Sequence, residues 1–408
     1  MLELIQSGKP LTLRQRLALT AKLSWPAIMA QLSSILMQYI DAAMVGRLGA
    51  VDSAAVGLVS TSLWLFWGVC SAATVGFSVQ VAHAMGAAEY DRARDIMRQG
   101  ILISFLFGVL IAAVGVSISQ VLPMWLGGEP EICAPASGYF LVFVSALPLL
   151  SLNYIGCGVL RAAGNMKVPG GLNVMMCALD VVFNFLLIFP TRDLTVFGST
   201  FRMPGAGLGI WGAALGTVCA EIITAGSVIW YLLTKQEHLA LTKVKGKLKT
   251  LRISRDVSRK AIKVAAPMTL EHAVICGAQI MITVIVAPLG AIAIAANAFA
   301  VTAEALCYMP GYGIGDAATT LTGQSYGAGR KDLARQFGYI TTLSGMVIMS
   351  AMGIMLWIFA PAVMSMMSPV QSIVDLGAEI LRIEAWAEPM FAASIVAYGA
   401  MVGVGDTI

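Results

Sequence analysis

The chain repeats itself in register over most of its 408 residues. Pro26 recurs as Pro267, 241 residues later, and the same shift relates matching pairs in several other helix-length segments. These pairs include Leu48–Ala50 with Leu289–Ala291, Gly86 with Gly327, Asp91 with Asp332, Pro148 with Pro389 and Gly158 with Gly399. A gapless register held across so many segments predicts two halves of like construction with a seam between them.

The composition places both halves in a membrane. The chain is 58% hydrophobic and 12% charged, which is about half the charged fraction of a soluble globular protein. Apolar stretches long enough to span a bilayer occur at 24–46, 53–82, 96–122, 136–160, 168–190, 207–233, 260–287, 293–323, 337–366 and 377–402. They lack the apolar–polar alternation of barrel strands. The sequence therefore predicts an all-α polytopic membrane protein with ten spans.

The ten predicted spans divide unevenly between two pseudo-symmetric helical lobes. Six lie in residues 1–234 and four in 260–408, and a basic cytoplasmic linker, 235–259, joins them. Under the shift of 241 residues, Gly164 falls on Gly405, so the fifth and sixth spans have no counterpart. By this symmetry we expect twelve helices in the full protein and a C-terminally truncated second lobe. A natural ten-helix protein is the alternative.

Basic residues are concentrated in alternate loops. They are Arg92, Arg94 and Arg98, then Arg161 and Lys167, then the run from Lys243 to Lys260, then Arg330, Lys331 and Arg335. By the positive-inside rule the N-terminus is cytoplasmic, and it carries no cleavable signal pattern. We expect a multi-pass protein of the bacterial inner membrane, a monomer with lipid around it and no nucleic acid partner. The basic stretch at 235–263 is a solvated linker or, alternatively, contacts lipid headgroups.

Polar side chains inside the spans of the first half lie on shared helix faces. An ionisable group deep in a span costs at least ~2.5–3.5 kcal/mol, so each needs a reason. Carboxylates and amides that converge there can bind a proton or a dehydrated Na⁺, because burial favours the neutral carboxyl and hard cations prefer oxygen ligands. The alternative is that they hold helices together by hydrogen bonds. The candidates are Asp41 and Gln38 on the first span, Asn153 on the fourth, and Asn173, Asp180 and Asn184 on the fifth.

One proline stands near the start of each lobe's opening helix, and an acid follows the second of these prolines. Pro26 and Pro267 occupy equivalent places, and a proline inside a helix frees a carbonyl and kinks the helix. Their recurrence at the same place in both halves favours hinges, and the alternative is that they are prolines tolerated in membrane helices. Glu271, one turn beyond Pro267, is a candidate second coupling acid or a partner for His272. The other second-half acids are Glu304 and Asp316, open between cavity lining and structural contact, and Glu384 and Glu388, expected near the outer surface beside Arg382.

Several segments resemble one transporter family. The segments are WPAIMAQLSSILMQYIDAAMVGRLG, LRAAGNMKVP, ALDVVFNFLLIF, GIWGAALGT, PMTLEHAVICGAQIMITVIVAPLG and MPGYGIGDAATTLTGQSYGAGRKDLAR. Together, and in this order over essentially the whole chain, they look like the multidrug and toxic compound extrusion (MATE) transporters. The resemblance implies two six-helix lobes related by an axis along the membrane normal. It also implies efflux of cationic or amphipathic small molecules in exchange for Na⁺ or H⁺.

The resemblance carries functional residues to particular positions. The family's first-helix acid falls on Asp41, and its fifth-helix acid and amide fall on Asp180 and Asn184, the set that would hold Na⁺. The seventh-helix acid of one branch falls on Glu271, but that branch's tenth-helix acid aligns with Phe391 or a neighbour. We therefore place the coupling ion in the first lobe.

The sequence favours an antiporter that works by alternating access, with Na⁺ or H⁺ as the coupling ion and no other cofactor. A flippase for lipid-linked precursors would line its cavity with several arginines, and only Arg47 and Arg161 lie near span ends in the first half. An integral membrane enzyme would need a cluster of histidines and acids, which three scattered histidines do not supply. A channel is disfavoured because the inward-facing acids lie in only one lobe.

Overall fold

The computed structural model describes residues 2–6, 10–196, 199–241, 253–368 and 370–407. Its helices are α1 Leu2–Gln6, α2 Leu13–Gly46, α3 Ala50–Gly86, α4 Tyr90–Ile118, α5 Leu122–Trp125, α6 Pro130–Ser145, α7 Leu147–Ala162, α8 Lys167–Ile188, α9 Ile210–Thr234, α10 Arg255–Val286, α11 Ala291–Gly327, α12 Lys331–Met367 and α13 Gln371–Val404. These helices confirm the prediction of an all-α membrane protein.

Eight of the described helices are long and apolar enough to cross a membrane. They are α2, α3, α4, α8, α9, α10, α12 and α13. The predicted fourth span is a pair, α6 and α7, bent by 44° where Leu147 begins the second helix. Pro148 stands in the first turn of α7, where its missing N–H costs no helical hydrogen bond. The predicted eighth span corresponds to α11, which is 37 residues long and carries Glu304 and Asp316.

The helix ends are set by local capping rather than by the edges of the apolar stretches. The predicted first span starts at residue 24, but α2 begins at Leu13, because Thr12 and Gln15 form a capping box. The Thr12 hydroxyl accepts a hydrogen bond from Gln15 N at 3.3 Å, and Thr12 N donates to Gln15 Oε1 at 2.9 Å. At the other end of the chain, α13 stops at Gly405, whose φ of 85° favours glycine. Much of the predicted linker, residues 242–252, lies outside the described residues.

The loop between α8 and α9 holds a β-hairpin that the helical pattern does not predict. Strand β1, Pro190–Val196, pairs antiparallel with β2, Ser199–Ala206. Pro190 and Pro204 are poor helix formers, and threonine and valine favour strands. The hairpin therefore caps the junction between two spans without interrupting either of them.

Contacts between the halves obey the repeat. His83 Nε2 lies 2.9 Å from Gly403 O, and Gln324 Nε2 donates to Ala162 O at 2.8 Å. The shift of 241 residues maps the first pair onto the second. Likewise, a Cβ on Gly86 would meet Gln324 O, and one on Gly327 would meet His83 O. α3 and α11 therefore cross in a two-fold arrangement at the end that carries the loops at 87–89 and 328–330.

Candidate functional site

α2 and α8 run side by side in parallel, and their polar residues meet in matching order. Near one end a Cβ on Gly170 would lie only 2.9 Å from Pro26 O, so the helices are in close contact there. Further along, Asn173 Nδ2 donates to Ala30 O at 2.7 Å and to Ser34 Oγ at 2.8 Å. Asn173 therefore fastens α8 to α2 beside the predicted site.

The two acids of the first half meet at the next step along this helix pair. Asn184 Nδ2 donates to Asp41 Oδ1 at 2.8 Å and to Asp180 Oδ2 at 3.0 Å. The carboxyls of Asp41 and Asp180 also lie against each other. Asp180 and Asn184 are buried, and Asp41 is half-buried. One amide thus bridges two carboxyl groups from different helices.

Buried oxygens in this cluster are left without a hydrogen-bond donor among the described residues. They are Asp180 Oδ1 and Asn184 Oδ1. The nearby Thr217 hydroxyl lies close to Asp180 but donates to Ala213 O at 3.3 Å. The space beside Asn184 Oδ1 exists because residue 216 is glycine, since a Cβ there would meet that oxygen. Two adjacent carboxyls cannot both stay ionised without a cation or a shared proton, so the arrangement fits binding of either.

The cluster opens into a cavity of about 450 Å³. Asp41, Asn184 and Gln38 line it, with Thr217 on the α9 side. Its remaining wall is largely aromatic and aliphatic, with Trp64, Trp67, Tyr139 and Phe143. No lysine or arginine is among the described residues that line it. This cavity is therefore acidic at one point and mainly apolar elsewhere.

Asn153 does not join this cluster. It lies on α7, which packs against α3, α4 and α9 rather than against α2. Its Oδ1 accepts a weak hydrogen bond from Cys157 Sγ at 3.3 Å, and its side chain lies next to Glu221. The expectation that Asn153 converges with the other amides is therefore wrong, because α7 turns that face toward α9.

A second cavity, about 490 Å³, lies between the two halves. Glu271 lines it from α10, beside the hydroxyl of Tyr398 on α13. Arg161 on α7 and Asp316 on α11 form an ion pair across it, with Nη1 to Oδ2 at 2.6 Å. His272 Nε2 lies 3.2 Å from Trp64 O rather than on Glu271. Glu271 therefore lines a different cavity from Asp41, although Trp64 and Trp67 line both.

The two predicted hinge prolines both lie inside long helices, Pro26 in α2 and Pro267 in α10. α2 packs against α8 and α11, and α10 packs mainly against α3. Both prolines therefore stand in helices that connect the two halves, where a change of helix direction would alter the cavity between them.

Glu384 and Glu388 differ from the expectation of an outer-surface pair. Glu388 is buried on α13 near Glu304, and neither of its carboxyl oxygens has a hydrogen-bond donor among the described residues. Arg382 instead lies over the Trp357 ring, 5.7 Å from its centroid. The i, i+4 spacing placed both acids on one helix face but did not show that this face turns toward α11.

Sequence reasoning missed several residues that shape these cavities. The pattern of basic residues places Arg161 in a basic loop. The repeat pairs it with Val402 and not with another basic residue, and this mismatch is a signal in the sequence that Arg161 differs from the other loop residues. Gly216 and Thr217 give no signal by residue type, because their role depends on the approach of α9 to Asn184. Tyr398 carries no spacing signal relative to Glu271.

The comparison with known proteins finds one family match in each half of the chain. The sequence profile of a family described as MatE matches residues 26–186 and 267–408. A probable multidrug resistance protein NorM of Thermotoga maritima is 26% identical over 392 residues, covering 95% of this chain and 80% of the relative. A multidrug resistance protein NorM of Burkholderia vietnamiensis is 26% identical over 410 residues, covering 98% and 84%.

Solved structures share the fold. One is described as the outward-facing conformation of a multidrug resistance MATE family transporter of the MOP superfamily. It superimposes with a TM-score of 0.86 at 20% identity, covering 99% of this chain and 85% of that one. At this identity the likeness shows the fold alone.

Proposed function

The chain is a membrane transporter of the MatE family, and from that premise we propose that it exports small organic cations from the bacterial cytoplasm by antiport with Na⁺ or H⁺. The observation that carries the proposal is the contact of two carboxyls, Asp41 and Asp180, bridged by Asn184 inside the first half. Multidrug resistance proteins among its relatives support the class of cargo.

The coupling step follows from the electrostatics of this cluster. With the site open to the outside, a proton or Na⁺ neutralises one negative charge and lets both acids remain adjacent in a low-dielectric setting. Asp180 Oδ1 and Asn184 Oδ1 are the free oxygens that would accept the ion. Without the ion, the same acids attract a cationic drug into the adjoining cavity. Ion and drug therefore compete, and the ion gradient drives export.

The apolar wall of that cavity fits this cargo. Trp64 and Trp67 line it, and the faces of aromatic rings attract organic cations. The contacts of His83 with Gly403 and of Gln324 with Ala162 close the seam at the end predicted to be cytoplasmic. We assign this closed end to the outward-open stage of an alternating-access cycle.

The flippase alternative receives less support. Arg161 is the one arginine among the described residues that line the cavity between the two halves, and it is already paired with Asp316. A pyrophosphate headgroup would require more unpaired positive charge than this.

The test is ethidium efflux from proteoliposomes under imposed Na⁺ or pH gradients. We expect one gradient to drive efflux in the parent chain and Asp41→Asn to abolish the gradient dependence. Asp52 lies in the first turn of α3. Asp52→Asn removes this carboxyl, is the matched control and should leave efflux unchanged. Size-exclusion profiles show whether the variants fold. Undiminished coupled transport in well-folded Asp41→Asn would overturn the assignment, and efflux that responds to neither gradient would overturn cation coupling.

A further inference from the structure

A third cavity, about 510 Å³, lies at the end of the bundle predicted to be cytoplasmic and plays no part in the transport cycle proposed above. It sits where α2, α8 and α9 come together, with Leu2 of α1 at its edge. Three lysines line it, one from each of these elements: Lys22 on α2, Lys167 at the start of α8 and Lys235 just after α9.

Its floor is polar, with one buried and two partly buried side chains. Gln236 is buried, and Asn165 Nδ2 lies 3.5 Å from both Gln236 Oε1 and Tyr231 Oη. Both contacts are at the long limit for a hydrogen bond, and Asn165 and Gln236 both line the cavity.

The lysines have no carboxylate partner among the ion pairs of the described residues. One acid, Glu237, also lines the cavity, so three lysines leave an excess of positive charge. His238, also at the wall, stacks on Tyr90 with ring centroids 4.4 Å apart. The cavity is therefore a cationic pocket in which a single acid leaves most of the positive charge of the three lysines unmatched.

Two exposed tryptophans near this pocket are typical of the level of lipid headgroups. Trp25 is one turn beyond Lys22 on α2 and is 67% exposed, and Trp230 on α9 is 59% exposed. Lys235 Nζ lies 5.7 Å from the Trp230 ring centroid. Tryptophan concentrates at the membrane–water interface, and lysines one turn farther out reach the phosphate layer. The pocket therefore opens beside lipid rather than only toward the aqueous phase.

We propose that the pocket formed by Lys22, Lys167 and Lys235 binds the phosphate headgroup of an anionic phospholipid of the cytoplasmic leaflet. The lysines neutralise the phosphate, and Asn165 and Gln236 offer hydrogen bonds to its oxygens or to the headgroup alcohol. Basic pockets between helices on this side of a membrane have the chemistry for such headgroups. The bound lipid would hold α2 against α8, the same helix pair that carries Asp41 and Asn184.

Native mass spectrometry of the purified chain tests this, with phosphatidylglycerol and phosphatidylcholine of equal chain length as probes. We expect retention of phosphatidylglycerol in preference to phosphatidylcholine. Each Lys→Gln change should weaken phosphatidylglycerol binding roughly fivefold, and the triple variant by about a hundredfold. The matched control removes three lysines at the same end but outside the pocket, Lys260→Gln, Lys263→Gln and Lys331→Gln, and should retain the lipid.

Three results would overturn the proposal. One is equal retention of the two lipids, and another is equal loss of phosphatidylglycerol in the pocket and control triples. The third is saturation of the pocket by inorganic phosphate that displaces the lipid at millimolar concentration, which would assign the pocket to a soluble anion. If the pocket triple fails to fold, the single variants and the lipid comparison on the parent chain still decide the outcome.

Discussion

At the scale of single residues, the site depends on an amide held between two acids. Asn184 satisfies one oxygen of Asp41 and one of Asp180 with a single nitrogen, and its own Oδ1 faces Gly216. A charge-assisted hydrogen bond of this kind is stronger than a neutral one. The position of Asn184 therefore controls how closely the two acids can approach each other.

Gly216→Ala should disturb this site without touching either acid. The added Cβ would meet Asn184 Oδ1 and push the side chain away from the carboxyls. Loss of such a bond costs ~1.5–3 kcal/mol, so we expect the half-saturating ion concentration to shift roughly ten- to hundredfold. The shift is upward for Na⁺, which loses the Asn184 Oδ1 ligand, and downward for H⁺, which a less stabilised carboxylate binds more tightly. The measurement is the ion concentration that half-saturates ethidium efflux.

Gly226→Ala is the control for this change. Gly226 lies on the same helix, and a Cβ there would meet nothing within 4 Å. It should leave coupling unchanged and slightly favour the helix. An unaltered ion dependence in Gly216→Ala would show that Asn184 does not position the acids.

At the scale of elements, the helices that bear the prolines connect the halves and also carry or adjoin the site. α2 holds Pro26 and Asp41, and it packs against both α8 and α11. A helix that bends near Pro26 would move Asp41 relative to Asp180 on the neighbouring helix α8. This links a change of helix direction to the occupancy of the site.

Pro26→Ala should separate stability from transport. Removing a proline from a helix interior relieves up to ~3 kcal/mol, so we expect a higher midpoint of thermal unfolding and a slower efflux rate. Pro130→Ala is the control, because Pro130 occupies the first turn of α6, where proline is tolerated. Unfolding followed by intrinsic fluorescence and efflux from the same preparation would check both effects. A Pro26→Ala chain that transports at the parent rate would rule out the hinge.

At the scale of the whole molecule, the halves are held by contacts of two kinds. The contacts of His83 with Gly403 and of Gln324 with Ala162 repeat under the shift of 241 residues. The ion pair of Arg161 with Asp316 does not, because the repeat places Val402 opposite Arg161. The symmetric contacts are part of the repeated fold, whereas the ion pair places one positive and one negative charge in the cavity between the two halves that the repeat does not duplicate.

Neutralising either member of the Arg161–Asp316 pair should slow efflux. Arg161→Gln or Asp316→Asn leaves the other charge unpaired beside the cavity. Because both side chains are about one-quarter exposed, we expect a loss of roughly fivefold. The double exchange of Arg161→Asp with Asp316→Arg should recover most of the rate, as measured by ethidium efflux.

An exposed pair provides the comparison. Lys260 and Asp256 form an i, i+4 pair on α10 with side chains 52% and 66% exposed, and exchanging them should change nothing measurable. If the double exchange at Arg161 and Asp316 transports no better than the single variants, the pair does not act as a link between the halves.

Much of the fold follows from local pattern, since a segment of about 20 apolar residues has few options in a bilayer other than a helix. The repeat, and the alignment of Asn173, Asp180 and Asn184 on one face of their helix, are also properties of the sequence alone. The ends of the helices were harder to predict from the apolar stretches, because the capping box at Thr12 and Gln15 places the start of α2 well before the first apolar stretch.

What only the tertiary structure decided is which helix faces meet. Periodicity assigns Asn153 and Glu388 to helix faces, but the direction of those faces depends on how α7 and α13 rotate against their neighbours. The space for Asn184 depends on Gly216, a residue of another helix. Local sequence determines which backbone hydrogen bonds form within a helix, whereas side-chain contacts between helices depend on close packing over the whole bundle.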